Sequence, residues 1–84
     1  MAAMIFVTLY KFRRKLTKQD IDNASKTFSA ARNIGVWWTL GRFDAVRVFE
    51  AKDEKEAMKL NLALEGASTE TLVAIPREEA VKLL

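Results

Sequence analysis

An α+β fold in the order βαββαβ is what this sequence predicts, and three observations carry it. Four short runs are rich in β-branched and aromatic residues, the signature of strands. Two runs between them repeat apolar residues at helical spacing. A glycine-containing reversal, Leu40-Gly41-Arg42-Phe43-Asp44-Ala45-Val46, joins the two central strands with no helix between them.

Residues 4–10 make the first strand. Ile5, Val7 and Leu9 point to one face; Phe6, Thr8 and Tyr10 point to the other. The basic connection Lys11-Phe12-Arg13-Arg14-Lys15 follows. Thr17-x-x-Asp20 then signals a helix start, because the Thr hydroxyl caps a free backbone N–H and acids suit the first turn. Ile21, Ala24, Phe28 and Ala31 share one helical face, and Asn33 and Gly35 read as the helix end. Strands at 36–40 and 43–50 flank Gly41, which adopts positive φ at little steric cost. Asp53 with Glu56 opens the second helix, Ala57, Leu60 and Leu64 form its buried stripe, and Gly66 reads as its C′ residue. Residues 69–75 make the fourth strand, and Pro76 starts a short amphipathic tail at a first helical position.

Two interleaved βαβ units give a ferredoxin-like domain spanning residues 1–84: a four-stranded antiparallel sheet with both helices on one face. A sheet wetted on its free face alternates apolar and polar residues. These strands carry large apolar groups on both faces, so the face away from the helices is expected to be covered. The tail is too short to cover it. A second copy of the chain is the expected partner, in a homodimer or a higher oligomer, with Phe6, Val46 and Val48 as candidate interface residues. At 84 residues a lone domain buries only roughly 60–65% of its unfolded surface, so association adds needed apolar burial.

Composition narrows the chemistry. With no cysteine and no histidine, disulfides, thiolate or imidazole metal sites and Ser-His or Cys-His nucleophiles are excluded. Neither a metal nor a cofactor is expected, and a cytoplasmic protein is the simple reading. The net charge of +3 comes from 14 basic and 11 acidic residues in an interspersed pattern, so nucleic acid is not the expected partner. The opening Met1-Ala2-Ala3-Met4-Ile5-Phe6-Val7 is apolar, but no charged region precedes it and it is too short for a membrane span.

The run Gly41-Arg42-Phe43-Asp44-Ala45-Val46, then Val48-Phe49-Glu50-Ala51-Lys52-Asp53, and later Thr69-Glu70-Thr71-Leu72-Val73-Ala74, resembles the GYD family, named for a Gly-Tyr-Asp pattern. Phe43 stands where that family has Tyr. The resemblance implies a dimeric α+β barrel, in which two ferredoxin-like sheets pack face to face. The same Gly-x-aromatic-Asp pattern with a Thr-x-Thr strand also resembles the ligand-binding module of the Lrp/AsnC regulators, and implies at most a stand-alone sensor module.

Each candidate site residue carries a functional and a structural reading. Asp44 is either a ligand-binding or proton-accepting carboxylate or a turn cap holding backbone N–H groups. Trp37 and Trp38 face opposite ways on a strand, so one packs in the core and the other meets the covered face or a pocket wall. Tyr10, Arg47, Glu70 and Thr71 are polar groups on strands that otherwise read as buried. They either converge in a small-molecule pocket or form structural pairs. The expected function is a non-catalytic small-molecule-binding or assembly module. The enzyme alternative is a cofactor-independent monooxygenase or isomerase with Asp44 as base and Tyr10 or Trp37 lining the pocket. The third is an RNA-binding module using the basic segment 11–18, with Phe12 as a stacking platform.

Overall fold

The structure, a computed structural model, describes residues 3–84; Met1 and Ala2 of the apolar opening lie outside the described residues. Its elements follow the expected order: β1 (Met4–Phe12), α1 (Lys18–Thr27), a 3-10 turn (Phe28–Ala30), β2 (Arg32–Trp38), β3 (Ala45–Ala51), α2 (Glu54–Leu62), β4 (Ala67–Ala74) and α3 (Arg77–Val81). The four strands form one antiparallel sheet in the order β2-β3-β1-β4, the ferredoxin-like arrangement. Backbone extents of 43 × 29 × 17 Å match one layer of helices on one sheet. Among the described residues, no helix is long and apolar enough to cross a membrane.

Both predicted helix starts form as their side chains dictate. Thr17 accepts from the Asp20 backbone N–H while Asp20 accepts from the Thr17 N–H, a complete capping box. Asp53 caps α2 by accepting from Glu56 N at 2.9 Å. The C-terminal signal is displaced: α2 is capped at Ala63, so the C′ position falls on Leu64. Gly66, at φ 81°, instead turns the chain into β4.

The largest departure from the sequence reading lies between α1 and β2. Asn33 and Gly35 do not end a helix; α1 stops at Thr27 and both residues belong to β2, where a β-bulge falls between them. Gly35 is there for space. A Cβ at that position would overlap the Trp37 ring, which folds back over the glycine. The central connection is also longer than a tight hairpin. It runs over residues 39–44, with Gly41 at φ 110° and Thr39 N donating to Asp44 O at 2.9 Å.

Sheet register sorts the side chains cleanly. Phe6, Thr8 and Tyr10 of β1 stand opposite Phe49, Arg47 and Ala45 of β3, and all six are buried on the helix side. Phe6 stacks on Phe49 with ring centroids 5.6 Å apart, and Phe28 meets Phe49 edge-on at 5.1 Å. With Ala51 and Ala57 these rings form the core. Phe6 is therefore a core residue, and its expected place on an intersubunit face is corrected. Strand parity alone allows either face, and the aromatic stack decides for the helices. The opposite, open face carries Ile5, Val7 and Leu9 of β1 against Glu50, Val48 and Val46 of β3, flanked by Trp37 and Leu72.

Candidate functional site

The helices do not seal the sheet evenly. Toward the end of β1 nearer α1, a cavity of about 260 Å³ opens between α1 and the sheet. Its walls include Phe12 from β1, Leu16, Ile21 and Ala24 from the α1 region, and Val36 and Trp38 from β2. Trp38 meets Phe12 edge-on, with centroids 5.4 Å apart. Tyr10 and Arg47 supply the polar inner end.

Arg47 is the unusual residue. It is 8% exposed, yet none of the three ion pairs among the described residues includes it. Its Nε donates to the Tyr10 hydroxyl at 3.1 Å and its Nη1 donates to Asn33 Oδ1 at 2.8 Å. Its guanidinium carbon lies 4.1 Å from the centroid of the Phe28 ring, a cation–π contact. Asn33 is held in register by its own donors, Nδ2 to Phe28 O at 2.9 Å and to Ala31 O at 3.3 Å. The first residues of β2 therefore position the arginine.

Nη2 of Arg47 has no hydrogen-bond partner among the described residues. No side-chain nitrogen or oxygen there is both fully buried and unpartnered, so Nη2 keeps some access to solvent, and Arg47 is one of the residues lining the cavity. The Tyr10 oxygen accepts from Arg47, and its own proton has no acceptor among the described residues. Burial pushes the Tyr10 phenol above its ordinary pKa against the opposing pull of Arg47, so the hydroxyl stays a donor at neutral pH.

The other candidates lie elsewhere. Asp44 sits in the connection before β3, where its carboxylate accepts from Phe12 N at 2.8 Å and faces Lys11 Nζ at 3.7 Å. It ties that connection to β1. Trp37 is 52% and Trp38 65% exposed, so neither packs in the core, contrary to expectation; Trp37 lies on the open face, and Glu70, opposite Leu9, is exposed on the same side. Thr71 lies on the helix side, where its hydroxyl and that of Thr8 are 2.9 Å apart. Thr8 also reaches Asn61 Oδ1 at 3.3 Å, so this polar ladder is satisfied internally. Of the six ligand-binding candidates, only Tyr10 and Arg47 meet in the cavity. Trp38, Phe12 and Asn33 belong beside them. Strand parity against Trp37 is the available signal for Trp38; Asn33 has none, because its turn chemistry points to a helix end.

The basic segment 11–18 is divided rather than pooled. Lys11 faces Asp44, while Arg14 makes a two-point pair with Asp20 at 2.6 and 2.9 Å. That pair holds the Asp20 carboxyl well below the usual carboxylate range, with the Thr17 backbone N–H adding to the effect. Asp20 and Glu65 both line the cavity. They lie toward its outer end, because Arg13 N donates to Gly66 O, past the Phe12–Ala67 pairing of β1 and β4.

Comparison with known proteins gives a family and a fold. The chain superposes on the crystal structure of PH0061 with a TM-score of 0.62 and 17% identity over 88% of its length, and spans 53% of that chain. It superposes on the crystal structure of TTHA0845 from Thermus thermophilus with a TM-score of 0.59 and 23% identity, covering 87% of this chain and 94% of that one. These likenesses establish the α+β fold and say nothing further. No curated protein matches. The model of the GYD domain matches residues 11–84, nearly the whole of the described fold, and the chain belongs to the GYD family.

Proposed function

We propose that this chain is a small-molecule-binding module that performs no chemistry on its ligand, and that it works as a homodimer or larger homo-oligomer joined through the open sheet face. The observation that carries ligand binding is the buried Arg47, which lines a largely apolar cavity, has no carboxylate partner among the described residues and keeps Nη2 unpartnered. A buried guanidinium without a counter-charge costs stability. An apolar recess with a few convergent polar groups is the usual form of a ligand site.

The cavity lining supports binding over catalysis. Asp20 is committed to Arg14, Asp44 lies outside the cavity, and Glu65 stands toward the outer end, so the inner end offers donors but no free carboxylate base. The open face supports the assembly. Ile5, Val7, Leu9, Val46 and Val48 form a continuous apolar surface across the two central strands. A second copy of that surface is its natural complement. A cytoplasmic setting suits a sequence without cysteine.

Native mass spectrometry of protein purified without denaturation tests this reading. The expected spectrum is a homo-oligomer carrying an organic molecule, one per protomer at full occupancy, released on collisional activation. A protein that retains nothing, and that also shows no response to any small aromatic compound in solution, would sink the binding half of the proposal.

A further inference from the structure

Apart from the Ser25 hydroxyl on α1, the polar groups around Arg47 are donors or acceptors already engaged. Asn33 Oδ1 is already taken by Arg47, and the Thr8 hydroxyl is engaged with Thr71 and Asn61. The donors left unpartnered beside that arginine are its own Nη2 and the Tyr10 O–H, brought together because Arg47 Nε donates to the Tyr10 oxygen. Two adjacent donors, one on a cation, suit the two oxygens of a carboxylate. Only one cation stands there, so a single negative charge balances it.

Size and charge along β1 define the rest of the ligand. Arg47 lies opposite Thr8, whereas Phe12 lies opposite Ala67, close to the acidic outer end at Glu65. From Thr8 to Phe12 is roughly 13 Å at about 3.3 Å per residue. A cavity of about 150 Å³ holds a benzene ring, so about 260 Å³ has room for one ring and a short acid arm. The middle of the cavity, between Phe12, Trp38 and Ile21, is apolar and partly aromatic, which suits that ring. A second carboxylate on the far end would meet Glu65. The Arg14–Asp20 pair at the rim is internally neutralised.

Resting on the small-molecule reading above, we propose that the cavity binds monocarboxylates with one aromatic ring, the carboxylate on Arg47 and Tyr10 and the ring against Phe12 and Trp38. Titration of the intact wild-type oligomer, followed by amide and indole NMR, compares benzoate, phenylacetate and 3-phenylpropionate with their neutral amides. The acids are expected to bind roughly 10- to 100-fold more tightly than the amides, the range for a hydrogen bond to a charged group. The shifts should centre on the Trp38 indole and on Ile21 and Ala24. Tyr10→Phe should weaken the acids roughly fivefold or more and leave the amides little changed. Arg47→Met, of similar length, should abolish the preference for acids. Should that variant fail to fold, the acid–amide comparison and Tyr10→Phe decide the matter. Amides that bind in the cavity as tightly as the acids would overturn the carboxylate assignment and leave the binding module standing. If neither series binds and the purified protein retains no molecule, the binding module itself fails.

Discussion

Both faces of the sheet are rich in apolar side chains, where a lone domain would leave the open one polar. Under the helices, Thr8, Tyr10 and Arg47 are buried beside the Phe6, Phe28 and Phe49 rings. On the open side, the same two central strands present Ile5, Val7, Leu9, Val46 and Val48, edged by the half-exposed Trp37 and Leu72. Burial of apolar surface is the main drive to fold and associate, so leaving the more aliphatic face open is costly unless a partner covers it. Burying polar groups is costly too, unless each is hydrogen-bonded. The Thr8–Thr71–Asn61 ladder meets that condition, whereas Arg47 Nη2 and the Tyr10 proton have no partner among the described residues. The contrast motivates the two proposals, a ligand site under the helices and a second copy on the open face.

The largest effect should come from the covered face. Phe49 is fully buried between Phe6 and Phe28, so Phe49→Ala should cost about 3–5 kcal/mol. Typical domains have about 5–15 kcal/mol in all and lose about 1–3 kcal/mol per molar urea, so the urea midpoint should fall by at least about 1 M. A midpoint close to wild type would mean the aromatic stack is not the core. A smaller effect belongs to the open face. Gly35→Ala should displace the Trp37 ring and cost about 1–3 kcal/mol through overpacking. In a Trp37→Ala background the same change should be nearly neutral, giving a clear coupling in a double-mutant cycle. Additive effects would show that Gly35 is not needed for the ring.

The smallest effect lies at the cavity rim. Asp20 has a carboxyl pKa depressed in the folded state by Arg14 and the Thr17 N–H, so its charge favours folding. That contribution is present above the unfolded carboxylate value near 3.8 and is lost as pH falls below it through the folded value. Asp20→Asn should therefore lower the melting temperature at neutral pH by a small, salt-sensitive amount. The gap from wild type should close in strong acid. A gap that persists at every pH would assign the loss to the capping geometry rather than to the charge.

Much of this architecture is legible in the residues. The alternation of Ile5, Val7 and Leu9 with Phe6, Thr8 and Tyr10 sorts β1 into two faces, and the Thr17 and Asp53 caps start both helices. Which face meets the helices is not written in one strand; it follows from Phe6, Phe28 and Phe49 meeting across three elements. Asn33 and Gly35 carry helix-ending chemistry, yet the bulge and the Trp37 ring place them in a strand. The site is half visible. Tyr10 and Arg47 stand out as polar residues on buried strands, but the absence of a carboxylate near Arg47 depends on the register of β1 against β3 and on the path of Asn33. Asp44 is the sharpest residue in the sequence, and its carboxylate turns out to hold the Phe12 backbone.

Sedimentation velocity at micromolar concentration, on wild type and on Val48→Asp, tests the division of labour between the faces most directly. Val48 stands opposite Val7 at the centre of the open face, with no role in the cavity or the aromatic core. Wild type should sediment as a dimer or a larger assembly, and Val48→Asp should sediment as a smaller species or lose its fold at low concentration. A wild-type protein that sediments as a well-folded monomer would contradict the account, because an apolar sheet face would then stand open to water.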